Sequence, residues 1–186
     1  FRRVLFRSVS VGLNSFQVVG LPDKAVEEAK ERISSALKNC ELKSPRAFNR
    51  RTVINLAPAD IKKEGGMYDL PLALSFLLAS KQSSFDPASY IFAGELGLEG
   101  NLRPIRGVLP LAIFAKEKGV GTLVVPYENR GEASLVAGLK VVSPTNLTEL
   151  IDHLEGRIDA SLASKDDINQ LNARAKSSKK DAIDMA

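Results

Sequence analysis

The segment that most constrains the fold is a helix with almost no polar side. Residues 69–80 read DLPLALSFLLAS, so apolar side chains occupy nearly every position. Such a helix has to be covered on all sides, which places it in the interior of a layered domain. A Lys-Glu-Gly-Gly turn at 63–66 precedes it, and we expect Asp69 to cap its N-terminus and Pro71 to fit its first turn.

Hydrophobic periodicity predicts further strands and helices around this buried helix. The first half of the chain is expected to be rich in hairpins, and a hairpin is expected to turn through 97–101. Strands alternate with helices in the second half, so the predicted fold class is α+β, shading into α/β. The predicted strands are two within 9–21 and one each at 50–58, 90–96, 102–105, 122–126 and 140–143. The predicted helices are 22–39, 69–80, 108–119, 129–138 and 146–156.

Composition excludes several classes of site. Cys40 and His153 are the only cysteine and histidine, which argues against a disulfide framework and against a zinc site built on Cys or His. No apolar run approaches the roughly 20 residues that cross a membrane. We therefore expect no metal and no membrane contact, with a reducing cytoplasm as the default compartment. His153, on the last predicted helix, is expected at the surface.

Both ends of the chain differ from its centre. Residues 1–8, FRRVLFRS, read as the translation of a common sequencing-adapter tail, and we interpret them as an artefact. Their three arginines account for three of the formal net charges of +4. Residues 156–186 contain no aromatic side chain and little apolar surface to offset the entropy of ordering. We expect a folded domain at 9–155, followed by a flexible linker at 156–186 that does not join the core.

Four stretches carry a resemblance to a known family, at 20–39, 52–74, 92–112 and 124–141. Together, and in this order, they resemble the N-terminal domain of the YifB/ComM proteins, which are magnesium-chelatase-like AAA+ ATPases. The resemblance implies a Lon-protease-like domain with a mixed sheet, of the ribosomal protein S5 domain 2 type. It also implies that 156–186 leads toward an ATPase module outside this chain, where ATP and Mg²⁺ are expected.

The resemblance gives the Gly-Gly turn a specific interpretation. In Lon-type proteases this turn carries the catalytic serine, and a lysine on a later helix activates it. Laid on this sequence, the serine position falls on Met67 and the lysine position on Leu109. A thioether is not an acyl-transfer nucleophile and a leucine cannot accept a proton, so the implied domain is non-catalytic.

The alternative is a peptidase that uses an unconventional nucleophile. Ser75 lies inside the buried helix, where a hydroxyl usually bonds back to the helix backbone. Lys62 and Lys63 lie beside the turn, but a lysine base needs burial, and the sequence does not indicate it. ATP hydrolysis by this chain is not expected either, because the most similar stretch, 116–125, lacks the Gly-Lys-Ser/Thr of a phosphate-binding loop.

Charged residues around the turn offer two further hypotheses. The carboxylates Glu64, Asp69, Glu95 and Glu99 are candidates for acid–base or metal chemistry, and Glu95 is placed to face the turn. Capping of a helix by Asp69 and pairing of Glu95 with a nearby Arg or Lys are the simpler interpretations. Basic residues at strand ends form a DNA-binding patch if those ends converge, and a solvated face otherwise. The DNA-binding candidates are Arg50, Arg51, Lys62, Lys63, Arg103 and Arg106, with Arg46 nearby.

The expected function follows from the resemblance. The domain would help to assemble a homo-oligomer, a hexamer, together with its own AAA+ module. It would also guide DNA toward a motor that acts in branch migration or competence. DNA is accordingly a candidate partner, and no cofactor is expected in this fragment.

Overall fold

The computed structural model of this chain describes residues 4–11, 15–58 and 60–160. Each predicted strand and helix is present within these ranges, except that the predicted strand at 90–96 is divided in two. The strands are β1 (Val4–Val11), β2 (Ser15–Val19), β3 (Arg50–Leu56), β4 (Tyr90–Phe92), β5 (Glu95–Leu96), β6 (Leu102–Arg103), β7 (Thr122–Val124) and β8 (Lys140–Val142). The helices are α1 (Lys24–Asn39), α2 (Asp69–Ala79), α3 (Val108–Glu117), α4 (Arg130–Ala133) and α5 (Leu147–Leu154).

The first sheet has the strand order β1-β3-β2. β1 runs antiparallel to β3, whereas β2 runs parallel to it and pairs from Ser15 opposite Arg51 to Val19 opposite Asn55. β1 and β2 therefore lie on opposite sides of β3, and the expectation of a hairpin-rich first half was wrong. The cause is α1, which carries the chain from β2 back to the start of β3. Residues 4–8, part of the segment that we interpret as an adapter translation, pair with β3.

A second sheet contains the parallel strands β4, β7 and β8, in that order. β5 and β6 form the predicted hairpin around residues 97–101, with Glu95 opposite Arg103. The described residues thus have an α+β fold with both parallel and antiparallel strand pairs, as predicted. None of their helices is long and apolar enough to cross a membrane.

The core surrounds α2, as its sequence predicted. Leu70, Leu72, Leu77 and Phe76 on this helix are at most 1% exposed. The ring of Phe76 lies 6.2 Å from that of Phe16. This main cluster joins α1, α2, α5 and the first sheet, while a second apolar cluster joins α3 to β4 and β7. Burial of α2 on several sides fixes the position of the turn that precedes it.

Three sequence-based expectations about single residues were wrong. Asp69 does not cap α2, because its carboxylate is fully buried against other elements. The side chain of His153 is only 9% exposed, since the chain folds back over it after α5. Ala160 is 5% exposed and belongs to the main core, so packing continues beyond residue 155 and through the first residues assigned to the linker. Residues 161–186 of the expected linker lie outside the described residues.

Candidate functional site

The turn before α2 is fastened to the start of α1 through Lys63 and Asp23. The backbone N–H of Lys63 donates to the carbonyl of Leu21 at 3.1 Å, and the N–H of Asp23 donates to the carbonyl of Lys63 at 3.0 Å. The Asp23 carboxylate accepts from Val26 N–H at 2.8 Å, which caps α1, and from Gly65 N–H at 3.1 Å. One side chain therefore holds both the beginning of a helix and the Gly-Gly turn.

The two glycines of the turn have different reasons to be glycine. Gly65 has φ of +82° and ψ of 171°, a region that is almost restricted to glycine. Gly66 instead lacks space, since a Cβ there would lie 2.3 Å from a carboxylate oxygen of Glu95. Glu95 therefore faces the turn, and it also pairs with Arg103 at 3.8 Å. The ion pair is the simpler of the two interpretations that the sequence offered for Glu95.

Met67, which the resemblance aligns with the Lon-type serine, is part of the packing between the turn and the second cluster. Its carbonyl accepts from the N–H of Gly94 at 3.1 Å, and its side chain packs against the cluster that α3 forms with β4 and β7. Leu109 is half-buried near the start of α3, where its N–H donates to the Glu132 carboxylate at 2.8 Å. The turn thus contacts, through Met67, the same cluster that includes the helix carrying Leu109.

A buried ion pair joins the elements that surround the turn. The carboxylate of Asp69 accepts from Arg32 Nε at 2.7 Å, from Arg32 Nη2 at 3.0 Å and from Leu96 N–H at 3.2 Å. Burial raises the pKa of Asp69 above its ordinary value, and the hydrogen bonds from Arg32 and Leu96 oppose that shift. The bond to Asp69 raises the pKa of Arg32. This pair ties α1, α2 and β5 together directly beneath the Gly-Gly turn.

Sequence reasoning did not identify Arg32, although a signal was present. Arg32 lies three residues after Ala29 and four before Ala36, and both alanines are fully buried on α1. A guanidinium on the apolar stripe of a helix needs a buried carboxylate nearby. Asp69, a carboxylate at the start of an otherwise apolar helix, is the partner that this signal could have indicated for Arg32.

The two lysines beside the turn have different environments. Lys63 is 4% exposed, and its ammonium donates to the carbonyl of Pro58. Lys62 is exposed and forms an ion pair with Glu64 at 2.9 Å. Lys63 is thus buried, which the sequence had not indicated, but its partner is a backbone carbonyl. In the part of the chain that the structure describes, no side-chain hydrogen bond joins a serine, threonine or cysteine to the side-chain nitrogen of a lysine or histidine.

The six DNA-binding candidates do not lie at one end of the molecule. Arg50 and Arg51 begin β3, whereas Lys62 and Lys63 follow the far end of that strand. Arg51 is exposed and bonds to Gln17 at 3.1 Å. The ammonium of Lys63 is buried, so Lys63 does not belong to any surface that could contact a phosphate. The remaining exposed candidates near the turn are Lys62, Arg103 and Arg106.

The segment between Arg103 and α3 is held by residues that sequence reasoning missed. The buried side-chain amide of Asn129 accepts from Ile105 N–H and donates to Ile105 C=O, each at 2.9 Å. Together with Glu132 on the N–H of Leu109, this contact fixes the loop that presents Arg106. No local pattern in the sequence distinguishes Asn129 from an ordinary turn residue.

Comparison with known proteins gives a consistent picture. The family model for subunit ChlI of Mg-chelatase matches residues 7–129. Competence protein ComM of Haemophilus influenzae is 40% identical over 158 residues, covering 84% of this chain and 30% of that protein. The uncharacterized protein YifB of Escherichia coli is 37% identical over 150 residues, covering 80% of this chain and 29% of that protein.

A more distant similarity concerns the proteases. Lon protease 2 of Bacillus subtilis is 27% identical over 99 residues, covering 52% of this chain and 18% of that protein. The chain spans about three tenths of the length of ComM and YifB. On the strength of the family match and of these two relatives, this chain belongs to the magnesium-chelatase-like family that includes ComM and YifB.

Proposed function

We propose that this chain is a non-catalytic Lon-like domain, of the ribosomal protein S5 domain 2 type, that serves in assembly of a magnesium-chelatase-like AAA+ ATPase. The observation that carries the proposal is the setting of Met67. The turn has two glycines and is bonded to Asp23, and the residue that the resemblance aligns with the nucleophile is a thioether packed on an apolar cluster. A thioether cannot form an acyl-enzyme, so the turn would serve as a structural element.

The lysines support the same proposal. A serine or cysteine nucleophile needs a base within hydrogen-bond reach, and Lys62 and Lys63 instead bond to Glu64 and Pro58. Ser75 is half-buried on α2, one residue before the fully buried Phe76. The similarity to Lon protease 2 supports the fold assignment and carries no activity over to this chain.

A peptidase assay with a matched probe tests the absence of catalysis. The chain should neither hydrolyse a fluorogenic casein substrate nor react with a fluorophosphonate probe for activated serines, under conditions in which an active Lon protease does both. Hydrolysis that persists through purification and is abolished by Ser75→Ala would establish the alternative, a peptidase with an unconventional nucleophile. Loss through Lys63→Met as well would identify the base.

The assembly role is supported by exposed apolar residues at the edge of the turn. Leu21 and Ile61 are 55% and 57% exposed. The carbonyl of Leu21 accepts from the N–H of Lys63, and Ile61 lies shortly before that lysine in the chain. Leu21 also has a positive φ of 54°, an uncommon conformation for a residue other than glycine. We assign this pair to a contact within the oligomer, because exposed apolar side chains beside a rigid turn favour association.

The parent protein is proposed to be an ATP hydrolase that forms a hexamer and acts in competence or branch migration of DNA. ATP and Mg²⁺ would bind to the module outside this chain. Sedimentation of the full-length protein, with and without nucleotide, tests the assembly. Leu21→Ser with Ile61→Ser should reduce the hexamer, whereas Leu135→Ser, at a residue 71% exposed in the turn after α4, should not. Equal effects of both changes would remove the turn from the interface.

A further inference from the structure

A cluster of polar contacts closes the C-terminal end of the described chain. α5 ends at Leu154, and Gly156, with φ of +74°, reverses the chain. The N–H groups of Gly156 and Arg157 donate to the carbonyls of His153 and Asp152 at 3.0 and 2.7 Å. This is the Schellman pattern, in which two bonds close the last turn of a helix. The chain is thereby folded back along the helix that it has just left.

Side chains then tie this reversal to the loop that follows α2. Glu155 accepts from the hydroxyl of Ser83 at 2.7 Å and from the N–H of Ser84 at 3.3 Å. Arg157 lies between two carboxylates, 2.6 Å from Asp152 and 2.5 Å from Glu155. Residues on both sides of Gly156 are therefore held by charge-assisted hydrogen bonds.

His153 makes the last contact. Its side chain is 9% exposed, and Nδ1 accepts from the N–H of Ala160 at 3.1 Å. Ala160 is itself buried in the main core. The carboxylate of Asp159 lies 3.7 Å from the same nitrogen. One ring nitrogen thus faces a backbone donor and a carboxylate from adjacent residues, and it can bond to the first only while it carries no proton.

We propose that residues 152–160 form a proton-sensitive clamp, closed when His153 is neutral and opened locally when His153 gains a proton. A protonated Nδ1 is a donor, so it must give up the N–H of Ala160 and can donate to Asp159 instead. Ala160 then loses the bond that holds it at the core. The clamp controls whether the backbone that follows α5 stays held against the core at Ala160, and this proposal does not depend on whether the Gly-Gly turn is catalytic.

The charges around His153 make it the proton-sensitive element. Among the described residues, Asp159 provides the one carboxylate within ion-pair distance of its ring. Asp152 and Glu155 on the same helix are engaged by Arg157, and the adjoining loop contributes the neutral Ser83 and Ser84. Glu149, one turn earlier, accepts from Thr145. The hydrogen bond from Ser83, followed by Ser84 and Arg157, lowers the pKa of Glu155, which therefore stays ionised while histidine titrates.

Amide hydrogen exchange on the whole chain, followed by NMR, tests the clamp. As pH falls from about 8 to about 5, the range in which histidines take up protons, the protection factor of Ala160 should drop by about fivefold to tenfold, the effect of one lost hydrogen bond. Amides in α1 should change less than about twofold over this range, because their helix bonds do not involve His153. The ¹⁵N shifts of His153 should show the proton on Nε2 at the upper pH.

Two variants separate the clamp from general acid sensitivity. His153→Asn places an amide oxygen where Nδ1 lies and cannot titrate, so Ala160 should stay protected at both ends of the range. Asp159→Asn removes the alternative partner and should shift opening to lower pH. Protection of Ala160 that is constant with pH, a proton on Nδ1 at the upper pH, or an equal loss in Ala160 and α1 would each overturn the proposal. An unchanged pH dependence in His153→Asn would do the same.

Discussion

Arg32 meets Asp69 through two guanidinium nitrogens, at 2.7 and 3.0 Å, beneath the turn that opens α2. The carboxylate is fully buried, and the arginine side chain is 19% exposed. Removing only the arginine leaves a buried charge without its partner. We expect Arg32→Leu to lower the free energy of unfolding by about 3–5 kcal/mol, as measured by urea denaturation at neutral pH.

The pH dependence of this destabilisation has a defined sign. Burial raises the folded-state pKa of Asp69, so the folded protein binds that proton more tightly than the unfolded chain does. The stability that Asp69 contributes is therefore lost as pH rises through its folded-state pKa and is regained as pH falls. The loss of free energy of unfolding caused by Arg32→Leu should shrink toward about pH 4. The double variant Arg32→Leu with Asp69→Leu should lose less free energy of unfolding than the sum of the two single variants. A deficit that grows in acid would contradict this account.

Much of the fold was predictable from local pattern, and the buried ion pair shows where this stops. Burial of α2 follows from its own residues, because apolar side chains on every face leave no surface for water. The partner of Asp69 lies 37 residues away. Periodicity describes one element at a time, so it assigned Asp69 the local role of a cap. The same limit applies to Lys63 and His153, whose burial depends on Pro58 and Ala160 folding over them.

The contact between Gly66 and Glu95 gives a prediction about the shape of the turn. In Gly66→Ala, the new Cβ would lie 2.3 Å from the Glu95 carboxylate, which must move away from Arg103. We expect a decrease of about 1–2 kcal/mol in the free energy of unfolding, typical of overpacking. Adding Glu95→Ala should recover part of it, because the obstructing atoms are gone. Gly131→Ala, on α4 with nothing within 4 Å, is the matched control and should cost nothing. Equal decreases at both glycines would show that backbone conformation, and not Glu95, sets the effect.

Glu155 gives a prediction with the opposite pH sign. The Ser83 hydroxyl, with Ser84 N–H and Arg157, lowers the folded-state pKa of this carboxyl below its unfolded value. Its contribution is present above the unfolded pKa and is lost as pH falls through the folded one. Glu155→Gln should therefore cost about 1 kcal/mol at neutral pH, and this cost should shrink as pH falls into the acid range where the folded-state carboxyl gains its proton. Thermal unfolding across this range measures it, with Glu128→Gln at an exposed position as the control.

The proposed loss of a Lon-type dyad at Met67 and Leu109 gives a distance prediction. Met67 packs against the cluster that includes α3, which carries Leu109. Because active dyads need hydrogen-bond reach, replacement should have left the two Cβ atoms within about 12 Å. In a Cys40→Ser background, Met67→Cys with Leu109→Cys should be joined within one chain by a bis-maleimide of that reach, as detected by mass spectrometry. Modification of both cysteines without a link between them would show that at least one motif was aligned wrongly.

DNA binding is the prediction with the widest functional consequence. Arg103 and Arg106 are exposed on the segment that Asn129 holds beside the turn, whereas Arg51 lies at the start of β3, the end of that strand away from the turn. If this segment contacts DNA, duplex binding should be weak, independent of sequence and steeply dependent on salt. Arg103→Gln with Arg106→Gln should reduce the log–log salt slope by about 0.9 for each phosphate that these arginines no longer neutralise. Arg51→Gln should leave the slope unchanged.

The N-terminal arginines need separate control in this measurement. Arg2, Arg3 and Arg7 belong to the segment interpreted as an adapter translation, and they could create affinity by charge alone. Deleting the segment would remove residues 4–8 from their pairing with β3, so replacing the three arginines by glutamine is the safer background. Fluorescence anisotropy with a labelled duplex at low and moderate salt then compares all variants. If that background binds no DNA even at low ionic strength, the basic residues are a solvated face, and the role of the domain narrows to assembly with its own ATPase module.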